Sequence, residues 1–187
     1  MKFSGSKVII GPLVADDFLP LFRWTNDTET ARLDLAYRPV DWATHKTWFE
    51  TVGKDASKVL FAIRRLGDAA ILGFIAIFNI NSVHRSAEIG MRIGDESDRG
   101  RGYGSEALGL ALNFCWSHLN LQRISISVLG HNERALHTYE KAGFEREGLL
   151  RRAAYIDGDW VDVVVMAKLR PSVTTSVVAA AVEELVS

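Results

Sequence analysis

Apolar and polar positions alternate most cleanly over residues 87–93, where Ala87, Ile89, Met91 and Ile93 interleave with Glu88, Gly90 and Arg92. That is the pattern of a strand whose two faces meet different surroundings. Residues 121–128 repeat it, with Ile124, Ile126 and Val128 set between Arg123, Ser125 and Ser127. Two apolar runs at 59–64 and 71–78, joined through Leu66-Gly67-Asp68-Ala69, predict a β-hairpin, and runs at 150–156 and 160–169 around Asp157-Gly158-Asp159 predict another. Val8-Ile9-Ile10 predicts a short first strand, stopped by Gly11-Pro12.

Helical spacing fills the intervals. Phe18, Leu21 and Phe22 form a stripe that Asp16 or Asp17 can cap, with Pro20 tolerable near the first turn. Residues 24–34 then turn polar. A helix over 42–52 has Asp41 as its cap, Trp42, His45, Trp48, Phe49 and Val52 on one side, and Gly53 at its end. Leu108, Ala111, Leu112, Cys115 and Leu119 predict a helix over 106–118. Asn132 is placed to cap a further helix with Ala135, Leu136, Tyr139 and Ala142 on one face and Gly143 at its C-terminus. Residues 174–186 again have helix-forming composition, beyond Pro171.

The stretch Arg99-Gly100-Arg101-Gly102-Tyr103-Gly104-Ser105 lies between the strand ending near Gly94 and the helix at 106. Its glycines permit positive φ and close approach of backbone N–H groups to a ligand, and the helix N-terminus that follows favours an anion. A nucleoside-triphosphate P-loop would need Lys and Ser or Thr after the last glycine, and none follows Gly104. A dinucleotide fingerprint would need G-x-G-x-x-G, whereas Gly100, Gly102 and Gly104 are spaced G-x-G-x-G. A Gly-rich run standing alone would be read as a surface turn.

A second motif changes that reading. Arg99-x-x-Gly102-x-Gly104, followed after a helix and a strand by Asn132-Glu133-Arg134-Ala135-Leu136-His137-Thr138-Tyr139-Glu140-Lys141-Ala142-Gly143-Phe144, resembles the GCN5-related N-acetyltransferase (GNAT) superfamily. The resemblance runs from about residue 8 to 169 and is nearest to the branch holding ribosomal-protein N-terminal, spermidine and amino-sugar acetyltransferases. It implies an α/β fold, with a mixed, mostly antiparallel sheet flanked by helices and a splayed strand pair at an acetyl-CoA site. It makes residues 1–170 the catalytic domain and 171–187 a tail. Cofactor contacts fall by position on Arg92, Ile93, Gly94, Arg99, Gly100, Arg101, Gly102, Tyr103, Gly104, Ser105, Asn132, Ala135 and Tyr139. Acceptor contacts fall on Asn26, Asp27, Glu29, Asp34, Tyr37, His45 and Trp48, and on Tyr155, Asp157, Asp159 and Trp160.

The chemistry implied is acetyl transfer to a primary amine, either a small molecule such as a polyamine or amino sugar, or a protein N-terminus. A non-catalytic acyl-CoA-binding module is the alternative from another class. Tyr139 matches the tyrosine that faces the coenzyme sulfur in this superfamily, and a phenol stays protonated at neutral pH. Glu88 is the first candidate for the base, with His84 and His137 behind it.

Composition narrows the partners. The 187 residues are 48% apolar, enough for one sizeable core, and carry a formal net charge of −1. That balance argues against a non-specific nucleic-acid binder. No apolar run approaches the ~20 residues of a membrane span, and the N-terminus lacks a basic-then-apolar leader, so a soluble cytoplasmic protein is expected. The single cysteine, Cys115, reads as a buried thiol, and the absence of a paired-ligand motif predicts no metal. Edge-strand pairing or tail docking makes a homodimer feasible.

Overall fold

The computed structural model describes residues 1–35 and 37–171, so the helix expected over 174–186 lies outside the described residues. Eight strands form one sheet: β1 (Phe3–Ser4), β2 (Val8–Gly11), β3 (Val59–Arg65), β4 (Ile71–Asn81), β5 (Ser86–Ile93), β6 (Arg123–Leu129), β7 (Glu145–Ile156) and β8 (Asp159–Leu169). Their order is β1-β2-β3-β4-β5-β6-β8-β7. Every neighbouring pair is antiparallel except β5 and β6, which run parallel. The helices are α1 (Phe18–Asn26), α2 (Thr28–Ala31), α3 (Trp42–Thr51), α4 (Tyr103–Ser117) and α5 (Glu133–Lys141).

The strand alternation decides where the core sits. Ala87 and Ile89 of β5 and Ile124, Ile126 and Val128 of β6 join Ala107, Leu108, Ala111, Leu112 and Cys115 of α4, and Leu136 and Tyr139 of α5, in one buried cluster. Leu108 is fully buried and contributes about 1.5–3 kcal/mol by leaving water. Glu88, Gly90 and Arg92 therefore face the other side of the sheet. There a smaller cluster of Leu129, Ala154, Ile156 and Val163 packs with Tyr37. Cys115 is wholly enclosed, and burial pushes its thiol up to about 12, which makes it an inert core group.

Several boundaries differ from the sequence pattern, each for a physical reason. α4 starts at Tyr103 rather than 106 because Gly102, at φ +85°, forms its N-cap. β7 begins at Glu145, not 150, since it is an edge strand held by its backbone ladder to β8, and its first nine residues are exposed. β1 and α2, at two and four residues, are too short to show a period. Asp17 does not cap α1 in the expected way: its carboxylate accepts from the Val14 N–H at 2.8 Å and makes two bonds with Arg64 at 2.6 and 2.9 Å. Asp157 and Gly158, both at positive φ, make the two-residue turn of the last hairpin. Among the described residues no helix is long and apolar enough to cross a membrane.

Candidate active site

The parallel contact between β5 and β6 is short. It covers Ser86, Ala87 and Glu88 against Arg123, Ile124 and Ser125, and stops there. Beyond it β5 stays with β4 while β6 stays with β8 as far as Leu129, so the sheet parts in a V. The Gly94 N–H donates to the Leu72 carbonyl at 2.9 Å. The two-residue alternation of an antiparallel ladder then gives the backbone groups of Glu88, Gly90 and Arg92 to β4 and turns those of Ile89, Met91 and Ile93 toward the gap. Of the three residues expected to offer backbone here, Ile93 faces the opening, whereas Arg92 and Gly94 are engaged with β4.

The glycine loop stands at the mouth of this gap. Gly100 and Gly102 both adopt positive φ, +75° and +85°. Gly102 starts α4, whose first ladder bond runs from the Glu106 N–H to the Gly102 carbonyl. The preceding amides of Tyr103, Gly104 and Ser105 are those a helix start leaves without an intrahelical partner, a ready anion site. Gly104 sits tight on β5, since a Cβ there would come within 3.1 Å of the Met91 methyl.

Arg99 is spent largely on the scaffold. Its guanidinium donates to the carbonyls of Ile93 and Gly94 at 3.2 and 2.6 Å and to the Thr30 hydroxyl at 2.8 Å. Burial, and then the charge of Arg134 in the first turn of α5, lower its pKa. The two cations repel one another, and an anion bound at the mouth of the gap would relieve that repulsion. Arg101 is exposed and its Nε donates to the Ser97 carbonyl at 2.6 Å. The Tyr103 ring lies 5.9 Å from the Arg65 guanidinium.

Tyr139 belongs to the far wall. Asn132 caps α5 by accepting from the Ala135 N–H at 3.2 Å, so the two residues define the start of that helix. At its other end the Phe144 N–H reaches the Tyr139 carbonyl and the Gly143 N–H reaches that of Glu140, a Schellman ending with Gly143 at φ +85°. The Tyr139 and Phe144 rings meet edge to face at 5.5 Å, the apolar contact that goes with this motif. Tyr139 is 4% exposed, its hydroxyl has no hydrogen-bond partner among the described residues, and burial raises its pKa. It holds its proton throughout the working pH range.

On the opposite face Glu88 stands at the vertex of the V, with Oε1 accepting from Asn79 Nδ2 at 2.7 Å. Arg92 pairs with Asp34, donates to Thr25 at 3.3 Å and lies over the Phe74 ring. Glu29 and Asp157 share Arg32, while Asp27 caps α2 through Thr30. Asn26 clamps the Val40 backbone through both its amide groups. His45 is buried between Phe18, Phe22 and Trp48, its Nε2 against the Phe18 carbonyl, and burial lowers its pKa; it is a packing residue. Trp48 packs beside it. Tyr155 and Trp160 are exposed and in contact at 5.2 Å, next to Asp159 at the hairpin tip. His84 and His137 are both exposed.

Four supports escaped the sequence pattern. Trp24 lies flat on Gly94, where any Cβ would fall 1.9 Å from the indole, and donates to Asp95 at 3.0 Å. Lys7 donates to the Arg101 carbonyl at 3.1 Å, over the glycine loop. Glu106 accepts from the N–H groups of Ser6, Lys7 and Val8 and from the Ser6 hydroxyl. Asn79 holds Glu88. The first three work across about 70 to 100 residues of chain, where spacing carries no signal, and the fourth joins neighbouring strands across a bulge that gives no sequence period.

The comparisons agree with this geometry. The family model of the acetyltransferase (GNAT) domain matches residues 7–145. Spermidine N(1)-acetyltransferase of Vibrio cholerae is 36% identical over 93 residues, 50% of this chain and 53% of its own. That of Escherichia coli K12 is 34% identical over 112 residues, 60% and 59% of the two chains, so the chain spans little more than half the length of these relatives. The crystal structure of the Vibrio cholerae enzyme in complex with CoA and spermine superposes with a TM-score of 0.80 at 24% identity, covering 88% of this chain and 96% of that one. With its parted strands, its positive-φ glycine loop and a family match over most of its length, the chain belongs to the GNAT acetyltransferase family.

Proposed function

We propose that the protein transfers the acetyl group of acetyl-CoA directly to a primary amine, and that the amine belongs to a polyamine. The observation that carries the reading is the gap between β5 and β6, bordered by the glycine loop and the α4 N-terminus. It offers backbone donors along one strand and an anion site at its mouth, which suits a long chain ending in a diphosphate. The spermidine acetyltransferases among the relatives support the polyamine.

Acetyl-CoA, when bound, supplies a thioester whose sulfur must leave as a thiolate. The N–H groups turned into the gap at Ile89, Met91 and Ile93 are fixed before reaction, as carbonyl polarisation requires. Tyr139 approaches from the α4–α5 face as a neutral phenol. Full proton transfer from a phenol near 10, raised further by burial, to a thiolate whose conjugate acid lies near 8.5 is uphill. The hydroxyl therefore stabilises the departing sulfur by a hydrogen bond, and the proton collected from the amine restores neutrality. Glu88, on the other face, receives that amine: its carboxylate is bonded by a neutral amide rather than a cation, so its charge remains available to attract the ammonium, which gives one proton to water before attack, and to accept the proton that nitrogen sheds as the C–N bond forms. The hydrogen-bond donor to the sulfur and the base thus act from opposite sides of one gap.

The test is acetyl-CoA-dependent thiol release across polyamines, amino sugars, aminoglycosides and N-terminal peptides. Turnover concentrated in polyamines supports the proposal. Turnover confined to peptides favours N-terminal acetylation, a reading supported by the ribosomal protein uS5-alanine N-acetyltransferase of Escherichia coli K12, 28% identical over 138 residues. CoA binding without turnover favours the non-catalytic acyl-CoA-binding module. A homo-oligomer is part of the proposal, supported by the exposed Leu149 and Leu150 on edge strand β7 and by the dodecameric structure of the Vibrio cholerae enzyme, and is read by light scattering.

A further inference from the structure

We propose that Asn79 is a positioning residue that orients the Glu88 carboxylate toward the acceptor amine, an inference that rests on the role given to Glu88 above. β4 and β5 pair in register up to Phe78 and Glu88 and resume at Asn81 and Ser86, so Asn79 and Ile80 stand against Ala87 alone. This is a β-bulge, and Asn79 occupies it at φ +52°. Glycine is the residue that takes such a conformation without strain, and asparagine is one of the few others that tolerate it.

What asparagine adds is its amide. An ionised carboxylate can only accept, so the 2.7 Å contact to Glu88 Oε1 is made by the Asn79 NH₂ group. One carboxylate oxygen is held and the other is left for the ligand. Because the donor is neutral, the negative charge is not cancelled, in contrast to the arginine-paired Asp34 and Asp157 on the same side of the sheet. The bulge also turns the chain at the point where β5 and β6 stop pairing, which brings the amide to the vertex of the V. A strained backbone conformation is therefore retained where its side chain serves the carboxylate.

The experiment is steady-state kinetics with acetyl-CoA and spermidine from about pH 6 to 10, on wild type, Asn79→Gly, Asn79→Asp, Glu88→Gln and the Asn79→Gly/Glu88→Gln double variant. Asn79→Gly keeps the bulge and relieves strain, so its Tm does not fall. Its kcat is expected to drop about tenfold with the KM for acetyl-CoA unchanged. Asn79→Asp replaces the donor to Glu88 with a second carboxylate, so its kcat should fall at least as far as that of Asn79→Gly, again with the KM for acetyl-CoA unchanged. In the Glu88→Gln background, Asn79→Gly should cost nothing more. An Asn79→Gly protein with wild-type kcat and pH profile, beside an impaired Glu88→Gln, overturns the positioning role alone. A fully active Glu88→Gln protein, or a wild type silent toward spermidine, removes the underlying reading and the proposal with it.

Discussion

Replacing Glu106 by Gln probes how the glycine loop is anchored. The carboxylate accepts four donors from the turn between β1 and β2: the N–H groups of Ser6, Lys7 and Val8 at 2.8, 2.7 and 2.8 Å and the Ser6 hydroxyl at 2.5 Å. Desolvation alone would raise its pKa, but the Ser6 hydroxyl and the three N–H groups outweigh it and bring the group to about 2, from an ordinary 4.5. Taken whole, a depression of that size is worth about 3 kcal/mol, and solvent screening reduces it to about 1–2 kcal/mol. For a chain of this length that is a Tm loss of about 2–8 °C. The folded-state pKa is the lower one, so the stabilisation is complete above pH 4.5 and disappears as pH falls toward about 2. Thermal unfolding of wild type and Glu106→Gln should therefore differ at neutral pH and converge in acid. Because the same turn carries Lys7 onto the Arg101 carbonyl, calorimetric titration with CoA should also show affinity lowered by about 3- to 10-fold, or roughly 1 kcal/mol. Equal Tm values at pH 7, or a difference that persists unchanged into acid, would refute the reasoning.

Three further outcomes follow from the same geometry. Tyr139→Phe loses no hydrogen bond among the described residues, so its Tm should hold while kcat falls by about 10- to 100-fold at constant KM for acetyl-CoA; unchanged turnover removes Tyr139 from the chemistry. Gly102→Ala puts a side chain at φ +85° and 3.2 Å from Lys7 Nζ, which should cost about 1–2 kcal/mol of stability and weaken CoA binding, both absent if the loop reshapes freely. Asp17→Ala strands the Arg64 guanidinium and the Val14 N–H in a nearly closed site and should cost about 3–5 kcal/mol in urea denaturation, the largest loss of the set; a loss below about 1 kcal/mol would mean that water replaces the carboxylate.

The elements most legible in the sequence were those whose burial imposes a period. The alternation at 87–93 and the helical spacing of Leu108, Ala111, Leu112 and Cys115 reflect one shared core, and both reappear in the fold. The Asp157-Gly158 turn was legible because positive φ at two successive positions restricts residue choice. The start of β7 was not, because an edge strand needs no apolar face, and Glu145, Arg146 and Glu147 give no alternation. At the site, residue type located the loop and Tyr139, but not what each side chain does. Arg99 looks like a phosphate ligand in the sequence, while its donors are directed to Ile93, Gly94 and Thr30. Glu106 reads as an ordinary first-turn acid, and its four donors lie about a hundred residues away.

Those long-range ties explain how a sheet can remain parted. Where β5 and β6 separate, the ladder bonds that would join them are missing, and each edge needs another support. The stretch from Thr28 to Asp34 supplies it by reaching both sides. Toward β5, the Thr30 hydroxyl accepts from Arg99 and Asp34 pairs with Arg92. Toward the other half, Arg32 pairs with Asp157 at the β7–β8 turn, and its carbonyl contacts His131 at 3.0 Å in the loop after β6. Side-chain ties thus bridge the two halves at the mouth while the backbone between them stays open. The same arrangement accounts for the pairing of Asp34 and Asp157 with arginines. On that side of the sheet their carboxylates serve the bridge, whereas Glu88 at the vertex accepts from the neutral amide of Asn79.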